Sequence, residues 1–135
     1  MNILIIDGQG GGIGSQLVIA IKEQLAEAVI TAVGTNTAAT TAMIKAGAHQ
    51  AATGENPVIV GCKKSDVIIG PIGIVVADAL FGEITPKMAA AVGQSSAKRI
   101  LIPTNNSCDN IIAGISDLPM GKLVQNVVSI IKNLT

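Results

Sequence analysis

The stretch that decides the fold is NILIIDGQGGGIGSQLVIAIKEQL, residues 2–25. Its first part, from Asn2 to Ile6, is a continuous apolar run, which is typical of a strand buried on both faces. In its last part apolar residues recur every four positions, at Ile13, Leu17, Ile21 and Leu25. This period indicates an amphipathic helix. Five of the seven residues from Gly8 to Gly14 are glycine, so the stretch predicts a buried strand joined to a helix by a glycine loop.

The rest of the chain continues this alternation of strand and helix patterns. Further strands are expected at Ala28–Val33, Ala48–Ala52, Val67–Ile69 and Ile100–Ile102. A second helix is expected from a cap at Asn36 or Thr37 to Gly47, and a turn or helix is opened by Asn56-Pro57. Two more helices are expected from Ile74 to Phe81, closed by Gly82, and from Thr85-Pro86 to Gly93. The last helix begins at Ser116 and presents an apolar stripe of Met120, Val124, Val127 and Ile131. Caps and a proline at the first helical position define most of these starts.

Such an alternation predicts a single α/β domain over residues 1–135, of Rossmann-like type. We expect three layers: an open, mostly parallel sheet with helices on both faces. Residues 111–115 follow the preceding strand after only eight residues, whereas a parallel crossover needs about a dozen or more. They are therefore expected to add an antiparallel strand at an edge of the sheet, or not to pair at all.

Composition supports a protein with a large aliphatic core and excludes several classes of function. Hydrophobic residues make up 49% of the 135 residues and charged residues 13%, and Phe81 is the sole aromatic residue. Nine basic and nine acidic residues balance, without the basic stripe that nucleic-acid binding requires. The longest apolar run, Val67 to Ala77, is shorter than the roughly 20 residues that span a bilayer. Neither nucleic acid nor a membrane is expected as a partner.

The N-terminus and the cysteines point to the cytoplasm. Residues 1–6 have no basic region and run into Asp7, which indicates a strand and not a signal peptide. Cys62 and Cys108 are far apart, with no Cys-x-x-Cys or Cys/His spacing. Neither a zinc site nor a disulfide is supported, and no metal is expected.

The expected ligand site is the edge formed by the carboxyl ends of the strands, where open α/β sheets bind ligands. Small and polar residues follow four of the expected strands there. The candidate ligand-binding residues are Gly8, Gln9, Gly10, Gly11, Gly12, Ile13, Gly14, Thr35, Asn36, Gly70, Pro71, Thr104 and Asn105. Glycine permits a tight turn and a close approach of the backbone to a phosphate, which the N-terminus of the following helix favours. The alternative is a glycine turn that binds nothing.

Parts of the loop resemble two known families. Gly8-x-x-x-Gly12-Ile13-Gly14 is similar to the loop of short-chain dehydrogenases, but the chain has no Tyr for that family's Tyr-x-x-x-Lys. Gly10 to Gln16 resembles the loop of deviant P-loop ATPases, with Gly10 and Ser15 in place of both lysines. Hydride transfer by the first mechanism is excluded, and hydrolysis of a nucleoside triphosphate is not expected. Over nearly its full length the chain resembles a family of small, uncharacterised bacterial Rossmann-like proteins known as a domain of unknown function, which implies no activity.

The identity of the nucleotide stays open at this point. NAD and NADP are both candidates, as are other nucleotides and phosphorylated small molecules. The second strand ends in Gly34-Thr35-Asn36, without the acidic residue that accepts hydrogen bonds from the ribose of NAD and without an Arg for the phosphate of NADP. Thr35 and Asn36 are candidates for either ribose contacts or a helix cap.

Three hypotheses for function follow. The first is a small nucleotide- or dinucleotide-binding protein. The second is a small enzyme acting on a nucleotide-like or cofactor-like metabolite, whose catalytic candidates are Asp7 at the end of the first strand and Cys108 and Asp109 in the loop Asn105–Asn110. For that loop a hydrogen-bonded turn is the favoured interpretation, because a nucleophilic Cys needs a base and His49 lies in another segment. The third is a structural subunit without a ligand, whose interfaces are the aliphatic faces of 74–80 and 120–131. A homo-oligomer or a subunit of a larger complex is expected, and His49, Asp78 and Glu83 are expected at caps or on the surface.

Overall fold

A five-stranded parallel sheet forms the centre of the computed structural model, which describes residues 1–103, 110–115 and 117–134. Its strands are β1 (Asn2–Asp7), β2 (Val29–Gly34), β3 (Gln50–Thr53), β4 (Val67–Pro71) and β5 (Lys98–Ile102). They lie in the order β3-β2-β1-β4-β5. Ile5 in the central strand pairs with Ala32 of β2 on one side and with Ile69 of β4 on the other. The predicted open parallel sheet is confirmed.

Helices cover both faces of this sheet. They are α1 (Gly12–Gln24), α2 (Thr37–Ala46), α3 (Glu55–Lys64), α4 (Pro86–Gln94) and α5 (Met120–Leu134), with a short 3₁₀ turn at Ile72–Val75. Alternate residues of β1 point to opposite sides: Ile3 and Ile5 pack in a cluster with α1, α2 and α5, and Leu4 and Ile6 in a second cluster with α3 and α4. The three predicted layers are therefore present. No helix within the described ranges is long and apolar enough to cross a membrane.

Local capping signals set the helix starts and ends as the sequence predicts. The Asn36 side-chain oxygen accepts a hydrogen bond from the Ala39 N–H at 2.9 Å, so Asn36 caps α2. Thr85 caps α4 in the same way through the Met88 N–H at 3.2 Å, and Pro86 is the first helical residue. Gly47 ends α2 with a φ of 115°, a conformation that glycine adopts without steric cost.

One predicted element is wrong. Residues 74–81 do not form a helix: after the 3₁₀ turn the chain runs through successive turns, and Asp78, Leu80 and Phe81 have φ values of 65°, 56° and 56°. An α-helix needs negative φ, so these three residues end it whatever the hydrophobicity of the run. Residues 111–115 form no strand, which is the second of the two alternatives expected for them, and they contain a turn at Gly114, whose φ is 79°.

Candidate functional site

Three loops meet at the carboxyl edge of the sheet. The helices that follow β1 and β4 pack on opposite faces, so the sheet changes its winding direction between these strands, which is the place where open α/β sheets bind ligands. The glycine loop after β1, Thr35 and Asn36 after β2, and a loop after β4 lie at this place; we refer to residues 76–84 as the 76–84 loop. The predicted candidates Thr104, Asn105, Cys108 and Asp109 lie outside the described residues.

Three glycines of the first loop are packed against the protein itself. A Cβ on Gly11 would lie 2.9 Å from the Cα and the carbonyl oxygen of Ala39, and Gly11 has a φ of 72°. A Cβ on Gly14 would lie 2.5 Å from the Met43 Sδ. On Gly8 it would meet the Thr35 Oγ1 at 2.7 Å. These packed glycines let α2 and its preceding loop approach the start of α1, so their small size has an internal reason.

The other two glycines of this loop do not pack against any part of the protein. Gly10 and Gly12 are exposed, a Cβ on either would meet nothing within 4 Å, and neither has a φ in the left-handed range. Gly12 and Ile13 are the first two residues of α1, and their N–H groups have no acceptor among the described residues. N–H groups in the first turn of any α-helix lack an acceptor within the helix. These open glycines leave a helix N-terminus accessible from solvent.

Asp7 fixes the loop to the end of β1. It is 5% exposed, and its two carboxylate oxygens accept hydrogen bonds from the Gly8 N–H at 2.8 Å and the Gly14 N–H at 2.7 Å. Burial raises the pKa of Asp7, the two N–H groups lower it, and the nearby Glu83 carboxylate raises it further. Because both oxygens already bond to the backbone, Asp7 holds the loop in shape.

Glu83 is the site residue that the sequence interpretation missed. Its Oε1 accepts hydrogen bonds from the Gln9 N–H at 3.1 Å, from the Asn36 Nδ2 at 2.9 Å and from the Thr35 hydroxyl. The Thr35 hydroxyl, together with the N–H of Gln9 and the amide of Asn36, holds the pKa of Glu83 below its usual range, against a smaller effect of burial. Glu83 thus stays ionised and ties the 76–84 loop to the glycine loop and to the end of β2.

Gly70 and Pro71, two of the predicted ligand-binding residues, are buried in β4. A Cβ on Gly70 would lie 2.5 Å from the Ile6 carbonyl oxygen, so strand packing requires glycine there, and Pro71 is buried at the end of β4. The Nδ1 of His49 accepts the Ile30 N–H at 3.0 Å, at the opposite edge of the sheet. Burial raises the pKa of the Cys62 thiol to about 11, which leaves it protonated and unreactive near neutral pH.

No metal site is evident in the parts of the chain that the structure describes. Within 1–103, 110–115 and 117–134, no three His, Cys, Asp or Glu side chains are grouped so that they could hold a metal ion.

A parallel sheet with this strand order, whose first strand leads through a glycine loop into a helix, defines a Rossmann-like protein. The chain belongs to the family described as a domain of unknown function (DUF3842), whose model matches residues 2–135. No curated protein has a significantly similar sequence.

Two solved structures are similar to the chain. One is an FMN-dependent cysteine decarboxylase, TvaF, from thioviridamide biosynthesis, with 12% identity and a TM-score of 0.49 over 96% of this chain and 85% of the other. The second is a dodecameric FMN-dependent UbiX-like decarboxylase from Escherichia coli O157:H7, with 19% identity and a TM-score of 0.47 over 94% and 74%. At this level of similarity, a ligand has to be inferred from this chain's own residues.

Proposed function

We propose that this chain is a small nucleotide-binding protein that holds a phosphate group at the first turn of α1. The observation that supports the proposal is the difference between the packed and the open glycines. A turn that binds nothing would need glycine only at 8, 11 and 14, where a Cβ would collide with the protein. At Gly10 and Gly12 a Cβ would meet nothing within 4 Å, so no internal contact explains the glycine at either position.

A phosphate at this place would be held by the backbone. The unpaired N–H groups of Gly12 and Ile13 are the donors, and the positive end of the α1 dipole adds a favourable field. Gly10 and Gly12 adjoin these donors and carry no side chain that could hinder an anion. Close approach of an anion therefore explains why both positions lack a side chain.

Binding without hydrolysis is the activity that these residues support. The loop has no lysine, since Gly10 and Ser15 stand at the corresponding positions, so nothing in it neutralises charge on a transferred phosphoryl group. The alternative of an enzyme acting on a nucleotide-like metabolite would depend on residues 105–110, because the Asp7 oxygens are engaged by the loop.

The alternative of a purely structural subunit is less well supported, because the two helix faces suggested as its interfaces are largely buried within the protein. The apolar stripe of α5 is covered by the protein's own core, with Val124, Val127 and Ile131 exposed by 3%, 3% and 1%. Ile74, in the second face suggested as an interface, is also buried. Self-association as a homo-oligomer remains part of the proposal, through surfaces other than these two.

A thermal-shift panel tests the proposal, with NAD, NADP, FAD, FMN, ATP, AMP, GTP and coenzyme A as probes. At a concentration near 100 times Kd, a ligand should stabilise the protein by about 2.7 kcal/mol, which a melting curve resolves. Gly12→Val should retain the melting temperature of the free protein, because a side chain there meets open space, and should lose at least tenfold in affinity.

Gly121→Val is the matched control. Gly121 is also an exposed glycine in the first turn of a helix, α5, with open space around its Cα. Its substitution should leave nucleotide affinity unchanged. If no probe at millimolar concentration shifts the melting temperature, or if a folded Gly12→Val variant binds as tightly as the wild type, this proposal is wrong.

A further inference from the structure

The carboxyl end of β2 is the place where dinucleotide-binding sheets recognise a ribose. An acidic residue there accepts hydrogen bonds from the ribose hydroxyls, and an Arg there accommodates a 2′-phosphate. In this chain β2 ends at Gly34 and is followed by Thr35 and Asn36, neither of which is acidic. The carboxylate that reaches this place is Glu83, which arrives from the 76–84 loop and bonds to both Thr35 and Asn36.

The two oxygens of the Glu83 carboxylate are used differently. Oε1 accepts the three hydrogen bonds from Gln9, Thr35 and Asn36, whereas Oε2 has no donor among the described residues. No buried side-chain oxygen in the described part of the chain lacks a partner, so Oε2 must be in contact with solvent. Glu83 therefore presents a fixed, ionised oxygen that only accepts hydrogen bonds.

We propose that Glu83 is the ribose-recognising residue of this site, and that the bound nucleotide carries an unphosphorylated 2′-hydroxyl group. The inference rests on the proposed function, because it names the class of nucleotide for the same site. A hydroxyl donates a charge-assisted hydrogen bond to the Glu83 Oε2. A 2′-phosphate in the same position places like charges together, and no Arg or Lys of the described part of the chain bonds to Glu83 to offset them.

Two pairs of probes test this inference in the full-length protein. NAD and NADP differ by the 2′-phosphate, and AMP and 2′-deoxy-AMP differ by the 2′-hydroxyl. In at least one pair, the wild type should bind the nucleotide with a free 2′-hydroxyl at least tenfold more tightly than the other nucleotide, as measured by titration calorimetry. Glu83→Gln keeps the shape of the side chain and one acceptor oxygen but removes the charge. This variant should reduce the preference between the two members at least fivefold, mainly by weakening the hydroxyl-bearing probe.

Glu55→Gln is the control variant. The Glu55 carboxylate also accepts a hydrogen bond from a threonine hydroxyl, that of Thr85 at 2.6 Å, but it lies beside the start of α4. Its substitution should leave the preference unchanged. Equal binding of both members, or an unchanged preference in Glu83→Gln, overturns the role of Glu83 and leaves phosphate binding intact. If ATP or GTP is the nucleotide that binds, its 2′-deoxy form takes the place of the second probe, and equal binding of the two forms overturns the role of Glu83. If nothing binds, the proposed function and this inference are both wrong.

Discussion

The packed glycines and the open glycines belong to one loop, yet they are glycine for opposite reasons. At Gly11 and Gly14 a side chain would collide with α2, whereas at Gly10 and Gly12 it would project into solvent. The number of glycines in such a motif is therefore weak evidence for a ligand, because helix packing explains part of it. Open glycines also occur at Gly93 and Gly121, so Gly10 and Gly12 are informative only because they adjoin the first turn of α1 at the switch point of the sheet.

The largest effect is expected at a packed glycine. Gly11→Ala places a Cβ 2.9 Å from the backbone of Ala39 in a left-handed conformation, which costs roughly 1–2 kcal/mol for an L-residue before any overlap is counted. Overpacking adds about 1–3 kcal/mol, so we expect a loss of about 3 kcal/mol in the free energy of unfolding, measured with urea. Gly93→Ala, at an open position of α4, serves as the control and should not destabilise the protein. A Gly11→Ala variant as stable as the wild type would remove the distinction between the two kinds of glycine.

Asp7→Asn should have an intermediate effect with a characteristic pH dependence. Asn offers one acceptor where Asp7 offers two, so either the Gly8 or the Gly14 N–H loses its partner, at a cost of about 1–3 kcal/mol. Because burial raises the pKa of Asp7 above 3.8, its contribution to stability is present below that pH and is lost as the pH rises through the raised pKa. The advantage of the wild type over Asp7→Asn should therefore shrink with rising pH.

The pKa of Glu83 is shifted in the opposite direction to that of Asp7, so the two contributions to the pH dependence have to be separated in this experiment. Its lowered pKa gives a contribution that is present above its ordinary value of 4.5 and is lost as the pH falls through the lowered pKa. This contribution is common to the wild type and to Asp7→Asn, so it largely cancels in their difference. Parallel stability curves for the two proteins across this pH range would contradict the assignment of the shift to Asp7.

The smallest effect on stability is expected at the open glycines. Gly10→Ala and Gly12→Ala add a methyl group to open space at a non-strained φ, so the free energy of unfolding should change by no more than about 0.5 kcal/mol. Urea denaturation under the conditions used for Gly11→Ala measures both. A loss above about 1 kcal/mol, the typical cost of a disruptive substitution, would show that these positions also have an internal role.

The parts of the fold that could be predicted are those with local signals. The apolar run of β1 and the caps Asn36 and Thr85 are readable because neighbouring residues in sequence decide them. The 76–84 loop was not predictable. Its hydrophobic start is typical of a helix, but a hydrogen bond from the Asp78 N–H to the Ile84 carbonyl, at 2.7 Å, closes it into turns.

The sequence predicted where the candidate site lies but not which contacts form it. The glycine loop and the carboxyl edge of the sheet follow from the first strand and the first helix. The division of the glycines depends on Ala39 and Met43 of α2, and the carboxylate at the end of β2 comes from Glu83, 48 residues after Thr35. Contacts over such separations leave no periodic pattern in the sequence, so only the folded structure reveals them.

The exposed position of Phe81 has a practical consequence. Phe81 is fully exposed, and the chain contains neither Trp nor Tyr, so the core holds no Phe, Tyr or Trp side chain. The folded protein is consequently almost transparent in the near ultraviolet, where nucleobases and flavins absorb strongly. A ligand retained through purification would dominate the absorption spectrum, and its stoichiometry could be determined from the intact complex without extracting it.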